Sequence, residues 1–253
     1  MIPKTVNIFF LKSFNLKISI IGYGKMGKEI EITAKQREIE VVSVIDPLIE
    51  IVAPGYTYKS ISEESIKNAE VCIDFTTPNA VIHNIRKLAE LRKNVVVGTT
   101  GWYENIDLVK EIVESSRIGL IYSPNFSIGV NIFFRIVRFA SKNLSGESSY
   151  DIYGQEIHHK EKKDSPSGTA KTLEKIIKEE TGRYISFSNI RAGYVTGTHI
   201  VCFDSEWDSI ELRHAAKNRK GFAHGALIAA EFIRNKEGLY NGEDFINYLA
   251  SRK

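Results

Sequence analysis

Apolar residues fall along this chain in short unbroken runs, separated by segments in which they recur at every third or fourth position. Residues 16–21 (LKISII) form the first run and stop at Gly22. A run of this length reads as a strand buried on both faces. Residues 25–35 have helical spacing, Glu40–Ile45 (EVVSVI) is a second strand ending at Asp46-Pro47, and residues 71–75 (VCIDF) are a third. Pro78 follows at a first helical turn, where its missing N–H does no harm. Val81, Ile82, Ile85, Leu88 and Ala89 then repeat at helical spacing. Residues 95–97 predict a strand ending at Gly98; Ile106, Val109, Ile112 and Val113 mark a helix; Gly119–Tyr122 is a further strand. Strands alternating with helices of this length predict an α/β fold with a doubly wound parallel sheet of the Rossmann type. Crossover handedness then puts Gly22, Asp46, Phe75-Thr76, Gly98 and Ser123-Pro124 at the carboxyl edge, where such sheets bind ligands.

The pattern changes after about Phe126. Residues 130–143 predict a helix, 150–157 a strand, 170–180 a helix, and 200–203 and 209–214 strands, the last alternating Ile210 and Leu212 with Glu211 and Arg213. This is a second, α+β domain with an open mixed sheet. Residues 222–233 form a final helix, so apolar that it must be covered, and we place it back against the first domain. The expected division is 16–126 with 222–253 for the first domain and 127–221 for the second. Residues 1–15 are an extension ahead of the domain, or the product of a start codon placed early; they lack the cleavage site of a signal peptide.

Composition narrows the function classes. The chain has 253 residues, 43% of them apolar and 26% charged, enough for a well-buried core. Its net charge of +3 is too small to imply a nucleic-acid surface, although local basic clusters can still serve a small anion. No apolar stretch approaches the ~18 residues of a membrane span. Cys72 and Cys202 each sit in an apolar run, as two buried, reduced thiols of a cytoplasmic protein would.

Gly22-Tyr23-Gly24-Lys25-Met26-Gly27 is G-x-G-x-x-G between an expected strand and an expected helix, and Asp46 ends the next strand. In that context the motif is a dinucleotide fingerprint. Gly22 allows the tight turn, Gly24 lets a pyrophosphate approach the backbone, and Gly27 lets the helix pack close to the strand. The helix N-terminus offers unpaired N–H groups to the phosphates, and Lys25 is placed to meet one. Asp46 would accept hydrogen bonds from the adenosine ribose, which favours NADH over NADPH without excluding the latter; the same residue also reads as a strand-end cap. Gly98-Thr99-Thr100-Gly101 suits close contact with a flat ring and equally an ordinary turn. Ser123-Pro124-Asn125-Phe126 offers backbone to a nicotinamide carboxamide, with Phe126 packed nearby, or is an interdomain hinge.

The densest chemistry lies at residues 158–169 (HHKEKKDSPSGT), where histidines and lysines precede a Ser-Pro-Ser-Gly-Thr helix start. Amides at the helix start, hydroxyls and a glycine make an anion site; the histidines and lysines can move protons. A substrate with two carboxylates that must also receive a proton fits both halves. A solvated charged loop, or a His-His-x-Glu metal set lacking helical spacing, are the other readings.

The order G-Y-G-K-M-G, D-F-T, G-T-T-G, N-F-S-I-G-V-N, H-H-K-E-K-K-D-S-P-S-G-T-A, I-R-A-G and F-A-H-G-A resembles the dihydrodipicolinate reductase family over residues 16–233. The resemblance implies that His158 donates or accepts a proton and that Lys162 is the proton donor. It implies substrate binding at His159, Gly168 and Thr169. It implies cofactor binding at Gly22 to Gly27, Asp46, Gly98, Thr99, Thr100, Ser123, Pro124, Asn125 and Phe126, with NADH or NADPH as cofactor and no metal. It further implies a homotetramer built through the second domain's sheet and a place in lysine and diaminopimelate synthesis. Pro124, Lys160-Glu161 and Lys163 depart from the family's common pattern without removing a proposed catalytic group. A dehydrogenase of another small anionic substrate, and a non-catalytic dinucleotide sensor, are the rival functions.

Overall fold

A computed structural model of the protein describes residues 16–50, 53 and 55–251; the expected extension at residues 1–15 lies outside them. The alternating runs become β1 (Lys17–Ile21), α1 (Lys25–Gln36), β2 (Glu40–Ile45), β3 (Thr57–Tyr58), α2 (Glu63–Ile66), β4 (Val71–Asp74), α3 (Pro78–Glu90), β5 (Asn94–Val97), α4 (Ile106–Ser116) and β6 (Gly119–Tyr122). They are followed by α5 (Ile128–Asn143), β7 (Asp151–His158), α6 (Gly168–Thr181), β8 (Phe187–Arg191), β9 (Gly197–Asp204), β10 (Ser209–Ala216), α7 (Lys220–Ile233), β11 (Gly238–Tyr240) and α8 (Gly242–Ser251).

The first sheet has seven strands in the order β11-β6-β5-β4-β1-β2-β3. Parallel ladders join β1 to β2 and β4, β4 to β5, β2 to β3, and β6 to β11. Ile18, Ile20, Ile73, Val96 and Leu120 are wholly buried. A parallel sheet covered on both faces needs such unbroken apolar runs, which is why its strands were readable. The short additions were not: β3, α2, β11 and α8 have no counterpart in the expected elements. The strands are two and three residues long and α2 is a single turn closed by the Ser62–Ser65 capping box, too short to display a period, while the ten residues of α8 were missed although Phe245 and Ile246 are buried on it.

The second sheet runs β10-β9-β7-β8, with β9 antiparallel to both β7 and β10 and β8 parallel to β7. One face packs Ile152, Phe187, Val201 and Phe203 against Val137, Leu173 and Ile177 of α5 and α6. The other carries Tyr153, 51% exposed, and Ile190, 39% exposed. Strand β8 (FSNIR) was unexpected, because Phe187 is its only buried residue.

The chain divides into two compact units: the described residues up to Ile121 with Leu227–Tyr240, and Tyr122–Ala226 with the described residues from Asn241 on. The expected boundaries therefore shift, and residues 122–126, 222–226 and 241–251 lie with the second unit. Packing explains it. The Phe126 ring meets that of Phe245 edge-on at 5.8 Å. A Cβ at Gly225 would strike the Phe126 carbonyl oxygen at 1.8 Å, and one at Gly242 would lie 2.8 Å from Ser123 Oγ. The later half of α7 does join the first unit. Asn94 Nδ2 donates to the Ile233, Arg234 and Lys236 carbonyls at 2.7, 3.0 and 3.2 Å, while Asn94 Oδ1 accepts from the Gly119 amide at 2.8 Å.

Candidate active site

In the first unit the loops after β1, β4 and β5 meet at the sheet's carboxyl edge. Gly22 turns with φ +87°, and a Cβ there would strike the Phe75 carbonyl oxygen at 2.4 Å; one at Gly27 would lie 2.2 Å from the Gly22 oxygen. Both glycines are demanded by the chain itself. A Cβ at Gly24 would meet no atom within 4 Å. That glycine leaves open space above the N-terminus of α1, where a phosphate fits against unpaired amides. The residues present therefore suit a dinucleotide.

Asp46 serves as the strand-end cap and also faces a cavity. Its Oδ2 accepts from the Tyr23 amide at 2.8 Å and its Oδ1 from the Leu48 amide at 2.9 Å. The cavity, about 580 Å³, is lined by Gly22, Asp46, Pro47, Lys59, His83 and Lys87 among others. The two lysines stand far along the sequence from the glycine loop and were not singled out. The Tyr23 hydroxyl turns away to donate to Glu31, as does Tyr56; burial and that carboxylate push the Tyr23 phenol up to about 12.

A second cleft of about 440 Å³ joins Gly24, Lys25 and Met26 to Thr76, Gly98, Thr99 and Thr100. The two threonines of the loop differ. Thr99 is buried; its hydroxyl donates to Asp74 Oδ1 at 2.9 Å and accepts from the Thr76 amide at 2.8 Å. Thr100 is the exposed one. The wholly buried Asp74 also receives the Thr76 hydroxyl and Asn84 Nδ2, both at 2.8 Å. Burial raises its pKa against those hydrogen bonds. The network ties the β4 loop to the β5 loop.

Ser123 to Phe126 belong to the second unit. Ser123 Oγ donates to the Asn125 carbonyl at 2.8 Å, and Asn125 Oδ1 accepts from the Ser127 amide at 2.8 Å. Phe126 is 2% exposed, and its ring packs inside that unit against Phe245.

The second unit gathers the histidine–lysine segment around one carboxylate. Alternation along β7 puts Ile152, Gly154, Glu156 and His158 on the covered face. Glu156 is wholly buried. Its Oε1 accepts from Arg191 Nη2 at 2.6 Å and from the Ser167 amide at 3.0 Å. His158 Nδ1 lies 3.6 Å, and His199 Nε2 3.4 Å, from Oε2. Ser167 caps α6, taking the Ala170 amide on its hydroxyl, which also pairs with His199 Nε2 at 3.0 Å. Arg191 reaches the Asp164 carbonyl at 2.8 Å, and Lys162 Nζ pairs with the Asp164 carboxylate at 2.7 and 3.0 Å.

Burial lowers the pKa of His158, helped by Lys162 and Arg191 and opposed by Glu156. Burial and then His158 take His199 down to about 4. Both rings are thus neutral near neutral pH. Burial would raise Glu156, but the Ser167 and Arg191 hydrogen bonds win and hold it below the usual range.

Glu156, His158 and His199 offer ligand atoms within 4.8 Å of one another. The guanidinium already neutralises that carboxylate, so the set reads as an ion-paired hydrogen-bond cluster. His159 is half-buried, its amide donating to the Val195 carbonyl at 2.7 Å. Thr169 sits in the first turn of α6 beside Gly168, where a Cβ would meet nothing within 4 Å. Glu156 and His199 escaped the sequence reading, and Arg191 entered it only as part of I-R-A-G, with no role. Their signal was polarity on the covered face of strands, visible only once the face is known.

Comparison with known proteins agrees with this geometry. The model of the dihydrodipicolinate reductase N-terminus matches residues 16–126, and that of the C-terminus residues 129–246. The chain belongs to the dihydrodipicolinate reductase family. It is 35% identical over 246 residues to 4-hydroxy-tetrahydrodipicolinate reductase of Christiangramia forsetii, covering 92% of this chain and 99% of the relative. It is 38% identical over 195 residues to the protein of that name from Methanosarcina barkeri, covering 70% and 73%. Among solved structures, a dipicolinate-bound dihydrodipicolinate reductase from Paenisporosarcina superposes with a TM-score of 0.78 at 23% identity, over 92% of this chain and 99% of that one. A probable dehydrogenase from Thermotoga maritima gives 0.62 at 13% identity, over 92% and 93%. Those two likenesses speak to the fold. For a member of this reductase family, the expected Rossmann-type sheet and separate mixed sheet are what the chain forms.

Proposed function

We propose that this chain reduces 4-hydroxy-tetrahydrodipicolinate, or its dehydrated form, to tetrahydrodipicolinate with NAD(P)H, in the lysine and diaminopimelate pathway of the cytoplasm. One observation carries the reading: in a chain of this family, His158, the Lys162–Asp164 pair and the open start of α6 at Gly168 are linked through Glu156, Ser167 and Arg191. Bound NAD(P)H would supply the hydride. Amides at the start of α1 would hold its phosphates and Asp46 its adenosine ribose, with Thr100 and the backbone of Gly98 and Thr99 toward the nicotinamide end. The start of α6, Gly168-Thr169, and His159 receive the substrate's carboxylates. Lys162 gives the proton to the reduced ring, and His158 restores it. The Asp164 carboxylate anchors the Lys162 side chain at this place.

Asp46 followed by Pro47 favours NADH, and Lys59 and Lys87 beside the same cavity allow NADPH as well. The open face of the β10-β9-β7-β8 sheet, with Tyr153 and Ile190 exposed, is the surface for a homotetramer. Two buried free cysteines suit the cytoplasm, and among the described residues no helix is long and apolar enough to cross a membrane.

The test follows absorbance at the reduced-nicotinamide band, with substrate made in situ from pyruvate and aspartate semialdehyde and both cofactors compared. Oxidation is expected with each, faster with NADH. Lys162→Ala should lower kcat by about 10²–10⁴ while NADH affinity stays within about twofold. No oxidation with either cofactor sinks the reading.

A further inference from the structure

The carboxylate at the centre of the second unit's cluster has no place in the roles above. Glu156 is wholly buried, yet it sits beside two imidazoles that are themselves about 5% exposed. Its partners come from every element packed on it: Arg191 from β8, Ser167 from the start of α6, His158 from its own strand and His199 from β9. The two rings meet edge-on at 5.1 Å. Among the described residues, His158 Nδ1 and His199 Nδ1 are buried without a hydrogen-bond partner. The carboxylate lies on the Nδ1 side of His158 and the Nε2 side of His199. On the far side of the His158 ring, Gly197 leaves room: a Cβ there would come within 3.0 Å of Nε2.

A buried anion costs several kcal/mol unless it is paired. Arg191 and the Ser167 amide supply that pairing, so the carboxylate persists where two imidazoles can reach it. A ring that takes a proton on the carboxylate side gains a charge-assisted partner at once. The nitrogen a histidine protonates is set by the partner of the other.

Resting on the reading above, we propose that Glu156 is the positioning residue of the proton chemistry and that His199 is the second imidazole it holds. Its carboxylate orients both rings and fixes the tautomer of each. Lys162 gives its proton to the reduced ring carbon; the neutral His158 ring then relays one to the Lys162 amine, giving it from one nitrogen as it takes one from solvent on the other, so no imidazolate forms. Glu156 stays a carboxylate throughout.

The charged and titratable groups facing the rings are Glu156, Arg191, Lys162, Asp164 and, beyond His199, His214. Glu156 favours the protonated rings; Arg191 and Lys162 oppose protonation of His158. Two substitutions should therefore move the titration in opposite directions. In Glu156→Gln the His158 and His199 titrations, followed by NMR of the imidazole protons, should move about one pH unit lower. In Arg191→Met the His158 titration should move higher. In turnover, Glu156→Gln should lower kcat about tenfold while the substrate KM changes less than about threefold, with the imidazole limb of its pH profile moved to lower pH. A merely structural role would not lower kcat at nearly constant KM while moving the imidazole limb of its pH profile. Shifts of the same sign, or an unmoved titration in folded Glu156→Gln, overturn the proposal. Should Glu156→Gln fail to fold, Arg191→Met decides: a rise supports the proposal and no rise overturns it. The NMR measurement needs no turnover, so a wild-type protein that oxidises neither cofactor would sink the function and leave the positioning role separately readable.

Discussion

At Gly22 an added methyl group would strike the Phe75 carbonyl oxygen at 2.4 Å in a backbone already at φ +87°; at Gly24 it would meet nothing within 4 Å. The two residues of one motif therefore serve different ends. Gly22→Ala should destabilise the fold by about 1–3 kcal/mol, read as a lowered melting temperature. Gly24→Ala should melt like wild type and bind NADH about tenfold more weakly by calorimetry, because a methyl group intrudes on the phosphates. Unchanged NADH affinity in Gly24→Ala would remove the phosphate site from this loop. The G-x-G-x-x-G spacing was legible, since glycine declares itself in a sequence. The threonines were only half legible: adjacent in Gly98-Thr99-Thr100-Gly101, they differ because Thr99 turns inward to Asp74 while Thr100 is exposed. Glu156, a charge within an apolar alternation, gave a signal without a meaning until Arg191 was brought to it from 35 residues away.

Among the elements, the fully buried strands could be read, while the shortest strands, α2 and the ten-residue α8 were not. β1, β2, β4, β5 and β6 are buried on both faces and show as apolar runs, while β8 offers one buried residue and β11 has three residues in all. Such strands exist because a neighbour has unpaired backbone, which no local pattern reports. The end of α7 is a similar case. Its terminal carbonyls are met by a side chain from β5: Asn94 caps Ile233, Arg234 and Lys236 and holds the Gly119 amide that opens β6. Asn94→Ala removes these side-chain hydrogen bonds and should cost about 1–3 kcal/mol in a denaturant titration, without changing the relative use of NADH and NADPH. Wild-type stability in that variant would show that water replaces the side chain at no cost.

For the whole molecule, the second sheet is covered by α5 and α6 on one face and carries Tyr153 and Ile190 exposed on the other. If four chains meet through that face, Tyr153→Arg combined with Ile190→Arg should yield smaller species in sedimentation while the circular dichroism of each chain is kept. A wild-type protein that sediments as a monomer would remove the assembly. The division into two units also belongs to this scale. α7 reads as one apolar helix, yet its residues up to Ala226 count with one unit and those from Leu227 with the other. Phe126 and Phe245, far apart in the chain, close one core. The sequence by itself determined the strand and helix alternation, the dinucleotide loop and the family, because these rest on local periodicity and on residues whose identity carries their role. Only the tertiary structure decided which glycines the backbone itself requires, which threonine is exposed, where the units part, and that Arg191, Ser167, His158 and His199 gather around Glu156. Those are facts about neighbours across strands, set by register and burial, and the order of residues along a chain does not contain them in readable form.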